Sequence, residues 1–338
     1  MPLKYRPYRN SDTPELARLM RPQALECGSN DPITASMLED NVFTKPFFDP
    51  KGFMIAEDVD LERGDSQLLG FAHASFGPND SKSDIDRKRG VISLINVWSD
   101  SQQSEALRPE IASELLQRCE QYLIAEGAET IQGGEFRKNY PFYVGLYGGS
   151  EPPGVLESDT LMRTALKDEG FQKQLRTTRY AINLPDYHIV QGSRIDALDH
   201  EEVQIDRLID PILKWWSLWT VLHGESICFF FRPRNLRKRI IGTVLLRPMK
   251  MTEDGPIYGL LDVRVYQHFR HQSWGVFMLD HVFRELRRGG ISRIEAWCSD
   301  APREQHLAPL LERMRMIPTD EHGTVFLKDL REEPCGEE

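Results

Sequence analysis

The 338-residue chain is 40% apolar and 28% charged, a globular composition that excludes a wholly disordered or low-complexity protein. Its length suggests about two domains of roughly 100 to 200 residues each. The formal net charge of −10 provides no broad basic footprint for DNA or RNA, so nucleic acid is a poor candidate partner.

The longest apolar stretch, Ser226 to Phe231, is broken by Arg232, far short of the roughly 18 to 20 residues that span a bilayer. No apolar segment follows the charged N-terminus as in a secretory signal, which makes the cytoplasm the expected compartment and a membrane no partner. Cys27, Cys119, Cys228, Cys298 and Cys335 are scattered, without a CxxC or Cys/His pairing at metal-ligand spacing. Reduced thiols and no metal site are expected.

Taken in chain order, Lys4 to Arg9 reads as a short strand, and Ser11-Asp12-Thr13-Pro14-Glu15 as a helix start with a capping residue and an early proline. Gly52 to Glu57 and Gln67 to Phe76 read as a hairpin around the acidic turn Asp58 to Ser66. Val91 to Trp98 is an apolar strand, Glu110 to Ala125 an amphipathic helix, and Thr130 to Gln132 the start of another strand. Phe171 to Leu184 looks like a closing strand pair. Further on, Ile205 to Leu222 is predicted helical and carries Trp215, Trp216 and Trp219. Ser226 to Phe231 pairs with Ile240 to Arg247 across a basic connection. Ile257 to Val265 is a strand, Val276 to Arg288 a helix, and Arg293 to Cys298 the next strand. Arg331 to Glu338, with four glutamates, is predicted to be a disordered tail.

The strand-helix-strand pattern therefore occurs twice, as in an internal duplication. A shift of 163 positions places Leu115 on Met278, Leu116 on Leu279, Leu123 on Leu286, Gly127 on Gly290 and Ile131 on Ile294 without a gap. The strand before the helix aligns better at a shift near 166, with Leu94 to Val97 over Leu260 to Val263, which makes the first loop about three residues longer.

The second copy holds the most specific local signal: an apolar strand, the run Tyr266-Gln267-His268-Phe269-Arg270-His271-Gln272-Ser273-Trp274-Gly275, then a helix with Val276, Leu279, Phe283 and Leu286 on one face. Small residues admit a ligand to the backbone, and free N–H groups at a helix start suit an anionic phosphate. The run is a candidate pyrophosphate cradle.

With these residues the chain resembles the GNAT superfamily of N-acetyltransferases, whose acetyl-CoA loop is R/Q-x-x-G-x-G/A after a bulged strand. Arg270 and Gly275 match, and Ser273 replaces the first glycine. Val265 stands five residues ahead of Arg270 as in the family lead-in, although Gln267 replaces a common proline. The first copy departs further, because Ser99 to Arg108 has no glycine and two acids. It does carry Asn139-Tyr140-Pro141-Phe142-Tyr143-Val144-Gly145-Leu146-Tyr147, then Glu169-Gly170-Phe171, similar to the family's asparagine, tyrosine and closing Gly-Phe. In such enzymes the tyrosine often protonates the departing CoA thiolate. By position Tyr147 or Tyr143 would be that acid, or the aromatics pack under a glycine-rich loop. The shift of 163 places Tyr147 on Leu310 and Tyr143 on His306, so the halves divide their features, as in two-domain members such as mycothiol synthase.

The resemblance implies an α+β protein of two tandem GNAT-like domains, residues 1–185 and 186–330, each a mixed, mostly antiparallel sheet with flanking helices. It implies acetyl transfer from acetyl-CoA to a small-molecule or protein amine. The cofactor would be held by Val263, Val265, Arg270, His271, Gln272, Ser273, Trp274 and Gly275. Strand N–H groups near Val263 to Val265 could bind the developing oxyanion. Asp262 could act through water as general base, or stand paired with Arg264; His268 and His271 are further bases by chemistry. The alternative is a catalytically inactive acyl-CoA-binding or protein-interaction module. Oligomeric state is not legible.

Overall fold

The computed structural model describes residues 3–26, 33–60, 65–98, 102–136, 142–143, 153–188, 203–209, 226–234 and 239–331. In the first half, β1 (Leu3–Pro7), β2 (Phe53–Asp60), β3 (Asp65–Pro78) and β4 (Ile85–Val97) pair antiparallel in sequence order, and β5 (Thr130–Gly133) joins parallel to β4. Helices α1 (Thr13–Glu26) and α2 (Ala35–Leu38) cover one face; α3 (Gln102–Ala125) and α4 (Thr160–Asp168) cover the other. The two-residue β6 (Val155–Leu156) precedes α4, and β7 (Gln172–Asn183) follows it.

The second half repeats this plan. Strands β8 (Val203–Ile209), β9 (Ile227–Pro233), β10 (Gly242–Thr252) and β11 (Gly255–Val265) are antiparallel, and β12 (Arg293–Ser299) is parallel to β11. Helix α5 (Trp274–Arg288) links β11 to β12. Helix α6 (Leu307–Arg313) and β13 (Ile317–Asp329) follow.

The two sheets are fused into one, in the order β1-β2-β3-β4-β5-β13-β7-β12-β11-β10-β9-β8, with β6 beside β13. Each half sends its last strand to the other: β13 pairs with β5, and β7 pairs with β12. The order reads alike from both ends, with a pseudo-two-fold axis between β7 and β13, as expected of a duplicated α+β unit. The exchange is enforced by packing. Phe326 of β13 is fully buried in the core of the first half, while Tyr180 and Ile182 of β7 are buried in the core of the second.

Several expectations need correction. Phe171 to Leu184 is one long strand, β7, with its partners in the other half, so no local strand pair forms. Ile205 to Ile209 belongs to the edge strand β8, where Val203 and Ile205 alternate with polar neighbours and face the second core; period two prevails over the helical reading. Residues 210–222 of that expected helix, with its tryptophans, lie outside the described residues, as does nearly all of the expected tail. Finally, Gly70 pairs with Val97 just as Gly242 pairs with Val265, and the N–H groups of Trp98 and Tyr266 donate to the equivalent Leu69 and Ile241 carbonyls. The strands therefore superpose with Val97 on Val265, two positions from the sequence alignment. A two-residue slip keeps every side chain on its face, so hydrophobic pattern alone could not detect it.

Phe326→Ala should destabilise the protein by about 3–5 kcal/mol, the cost of emptying a buried aromatic site. Because that site lies in the first half's core, the loss should show in the unfolding of that half, read by hydrogen exchange of β5 and α3. Loss confined to the second half would contradict the strand exchange.

Candidate functional site

The geometry of the second half begins at a bulge. Leu245 of β10 stands opposite Asp262 and Leu246 opposite Leu260, so Leu261 has no partner position across the ladder. A bulge of this kind bends the strand and re-aims its backbone groups. On its other side β11 pairs with β12 only from Ile257 to Gly259, against Arg293 to Glu295. Beyond that point β11 follows β10 as far as Val265, while β12 follows β7 as far as Ser299. The facing edges part. Their N–H and C=O groups no longer pair with each other, and the wedge between them is open to a ligand that can supply hydrogen bonds.

This wedge forms part of a cleft of about 630 Å³. Its polar lining includes Asp262, Arg264, Arg270, His271, Glu304 and His306, with Leu260, Val263, Val265, Trp274 and Leu310 among the apolar lining. Trp274 is half-buried and packs edge-on against Phe269 and Phe277, at ring distances of 6.3 and 5.4 Å. It therefore walls the cleft without filling it.

The predicted cradle is the turn entering α5. Arg270 Nε donates to the Val265 carbonyl at 3.0 Å, which ties the turn to the end of β11. Ser273 has φ +64° and His271 φ +61°, left-handed conformations that favour glycine and cost other residues roughly 1–2 kcal/mol. Ser273 thus adopts a glycine-like backbone at the position where the GNAT loop has glycine. Its carbonyl accepts from the N–H groups of Val276 and Phe277, both at 3.1 Å. The amides just ahead of them make no backbone bond among the described residues, the usual condition of a helix start and a natural site for an anion. Gly275 is close-packed: a Cβ there would lie 3.3 Å from Leu310. Gln272 is exposed, with its Nε2 on the His268 carbonyl at 3.3 Å.

Asp262 lies on β11 beside the bulge, paired with Arg264 at 3.1 Å, and its side chain remains 40% exposed. The ion-pair reading of this carboxylate is the one found. Of the remaining sequence-stated candidates, His268 is exposed and Tyr147 lies outside the described residues. On the opposite wall, Glu304 accepts from Ser299 Oγ at 2.6 Å and from Ser299 N–H at 3.1 Å. His306 follows, immediately ahead of α6. Sequence reasoning named His306 only as the counterpart of Tyr143 and missed Glu304.

The first half has the same bulge, at Ser93, because His73 stands opposite Leu94 and Ala74 opposite Ile92. Its cradle is different. Helix α3 begins at Gln102 and contains Pro109, so from Gln102 onward the described residues that align with the second half's turn are wound into helix. Their amides serve the helix, proline has none, and Glu105 and Glu110 add negative charge. An anion is disfavoured here.

Beside the Ser93 bulge lies a buried polar group made of Tyr143, one of the two tyrosines named from the sequence, with His73 and Glu135, which were not named; Tyr143 and Phe142 are both buried, as in the aromatic-packing reading. Tyr143 Oη is 2.9 Å from His73 Nδ1, and the Tyr143 N–H donates to Glu135 Oε2 at 3.3 Å. Phe142 stacks at a tilt 4.5 Å from the His73 ring. Burial pushes Glu135 up to about 7, and pushes the His73 imidazole down to about 3. Burial also lowers Lys45 to about 8, with Glu135 opposing the change. Nothing in the local pattern Gly133-Gly134-Glu135 separates a buried carboxylate from a loop acid. Among the described residues no cluster could hold a metal ion, and no helix is long and apolar enough to cross a membrane.

The model of the Acetyltransferase (GNAT) family matches residues 191–314. A tandem GNAT protein from the clavulanic acid biosynthesis pathway, solved without AcCoA, superposes with TM-score 0.61 at 9% identity over 98% of this chain and 100% of that one. The fold is that of a tandem GNAT protein. A GCN5-related N-acetyltransferase from Sphaerobacter thermophilus gives TM-score 0.60 at 14% identity, over 98% of this chain and 96% of its own. A GCN5-related glucosamine N-acetyltransferase region of a fungal multi-domain GH3 β-N-acetylglucosaminidase gives 0.66 at 16% identity, over 96% of this chain but only 38% of that protein. No curated protein matches the chain. The tandem GNAT fold accounts for the repeated bulge and the repeated parallel pair.

The buried acid of the first half generates a pH test. Because its pKa is raised on folding, Glu135 stabilises the native state fully below the usual carboxylate pKa, and this contribution is lost as pH rises through about 7. His73, lowered on folding, acts in the opposite sense and loses its contribution as pH falls from the ordinary imidazole range toward about 3. Urea midpoints of Glu135→Gln relative to the parent protein should therefore move in the variant's favour between pH 5 and pH 8. A difference independent of pH would contradict a carboxyl that titrates late.

Proposed function

We propose that this protein is an N-acetyltransferase that transfers the acetyl group of acetyl-CoA to an amine, with the cofactor held in the second half. The observation that carries the reading is the parting of β11 from β12 directly above the left-handed turn at the start of α5. An extended amide-bearing arm such as pantetheine can hydrogen-bond to the exposed edge of β11 around Val263 and Val265. A diphosphate suits the amides from His271 to Gly275, with the Arg270 guanidinium adding positive charge. The residues present therefore fit the cofactor, which when bound supplies an activated thioester.

The chain's own groups have the remaining tasks. Backbone N–H groups near Val263, on the edge of β11 that has parted from β12, would stabilise negative charge on the thioester oxygen. Asp262, beside this point and reached by solvent, would accept the amine proton through water. Among the described residues one such cradle is found, which favours one cofactor per chain, with the first half contributing β7 as a wall rather than a second transferase site. The acceptor is an amine of a small molecule or of a protein. The relative described as a glucosamine N-acetyltransferase region makes amino sugars one class to try among the acceptors.

Acetyl-CoA and CoA should raise the melting temperature of the intact protein. Arg270→Ala should raise the Kd by about tenfold or more, the size of one charge-assisted hydrogen bond. Ser273→Gly should retain binding, whereas Ser273→Val, β-branched at a left-handed position, should weaken it. Thiol release in the presence of an amine panel then separates a transferase from a protein that binds the cofactor without turnover. Failure of both ligands to shift the melting curve would refute the assigned cleft.

A further inference from the structure

The strands of the first half part much as those of the second do. Strand β4 pairs with β5 only from Arg89 to Ile92, and the Gly134 N–H still donates to the Ile92 carbonyl at 2.9 Å. Beyond that point β4 follows β3 alone, as far as Val97. The bulge residue Ser93 corresponds to Leu261, which lines the open cleft of the second half. In the first half the same place is closed. Phe142 and Tyr143 pack over it, and His73, Ser75, Ser93 and Glu135 are each more than nine-tenths buried.

A polar atom removed from solvent needs a partner inside the protein, and this group is short of partners. Tyr143 Oη takes His73 Nδ1 at 2.9 Å, and the Tyr143 N–H donates to Glu135 Oε2 at 3.3 Å. Four atoms remain. Among the described residues, His73 Nε2, Ser75 Oγ, Ser93 Oγ and Glu135 Oε1 are buried with no hydrogen-bond partner. They are also neighbours. His73 and Ser75 share one face of β3, and Ser93 bulges from β4 opposite His73 and Ala74. Ser93, with the Phe142 and Tyr143 N–H groups, opposes the rise that burial imposes on the Glu135 carboxyl, which places all three beside it.

The chemistry of these atoms selects their occupant. A neutral imidazole donates from one nitrogen and accepts at the other, and a serine hydroxyl does both. An anion would face the Glu135 carboxyl. A cation would face the Lys45 ammonium, whose charge acts on that same carboxyl. What serves both donors and acceptors, carries no charge and fits among side chains this deeply enclosed is water, which makes about three hydrogen bonds when buried.

We infer that the first half binds internal water where β4 and β5 part, held by Glu135 Oε1 and Ser93 Oγ and extending to His73 Nε2 and Ser75 Oγ. The polar groups around the first bulge are then satisfied from within, whereas the parted edges of the second copy stay open to a ligand. No step of the proposed reaction enters this inference.

Two measurements on the intact protein test it. A high-resolution crystal structure should show water within hydrogen-bond distance of Glu135 Oε1 and Ser93 Oγ. In solution, magnetic relaxation dispersion of the water oxygen should report long-lived internal water, and its amplitude should fall in Ser93→Val, which replaces the hydroxyl by methyl groups and takes up the space. The crystal structure needs no variant, so the test stands if Ser93→Val does not fold. Direct side-chain bonds among the four atoms with no water between them, an ion or solute in that density, or an unchanged amplitude in folded Ser93→Val would each overturn the assignment.

Discussion

A strand can hydrogen-bond to two neighbours, and in this protein that limit opens the cleft. Strand β12 is drawn to β7, which comes from the other half, while β11 is held by β10. After three paired residues the two directions are incompatible, and β11 and β12 separate. The cleft, the exposed edge of β11 and the position of the loop carrying Glu304 and His306 all follow from this competition. A single half would lack the strand that draws β12 aside, so the cleft depends on the whole chain although most of its lining comes from one copy.

The two copies share a backbone plan and differ in one local decision. Both have a bulge after the parallel pair, at Ser93 and at Leu261. In the second copy, Ser273 and His271 accept left-handed backbone angles, and the helix begins late, with its first amides free. In the first, the helix begins early and consumes the same region. Beside its bulge the first copy has buried Phe142, Tyr143 and Glu135, a packed arrangement in which a carboxyl and an imidazole are both held near their neutral forms. The two copies thus share an architecture and differ in the residues beside their bulges.

Much of this was legible in the residues. The repeated strand-helix-strand pattern, the apolar face of α5 and the turn at Arg270 to Gly275 are readable in the chain itself, because each depends on neighbours in sequence. Ser273 was visible as a glycine replacement, but its left-handed angle was not. Tyr143 stood out in the sequence, but its meeting with His73 across 70 positions did not, and His73 and Glu135 each resemble an ordinary strand or loop residue. Ile205 to Ile209 of the edge strand reads as helix in the sequence because a Trp-rich apolar run follows it.

Sequence by itself determined most of the elements and the repeated strand-helix-strand plan, and it marked the turn before α5 by its residues, all set by periodicity and local backbone preference. Only the tertiary structure decided which strand closes which sheet. The identity of that partner depends on pairing between β13 and β5, nearly two hundred residues apart, and hydrophobic alternation says which face a strand buries but not beside whom. The open wedge, and the approach of His306 to it, follow from that choice of partner.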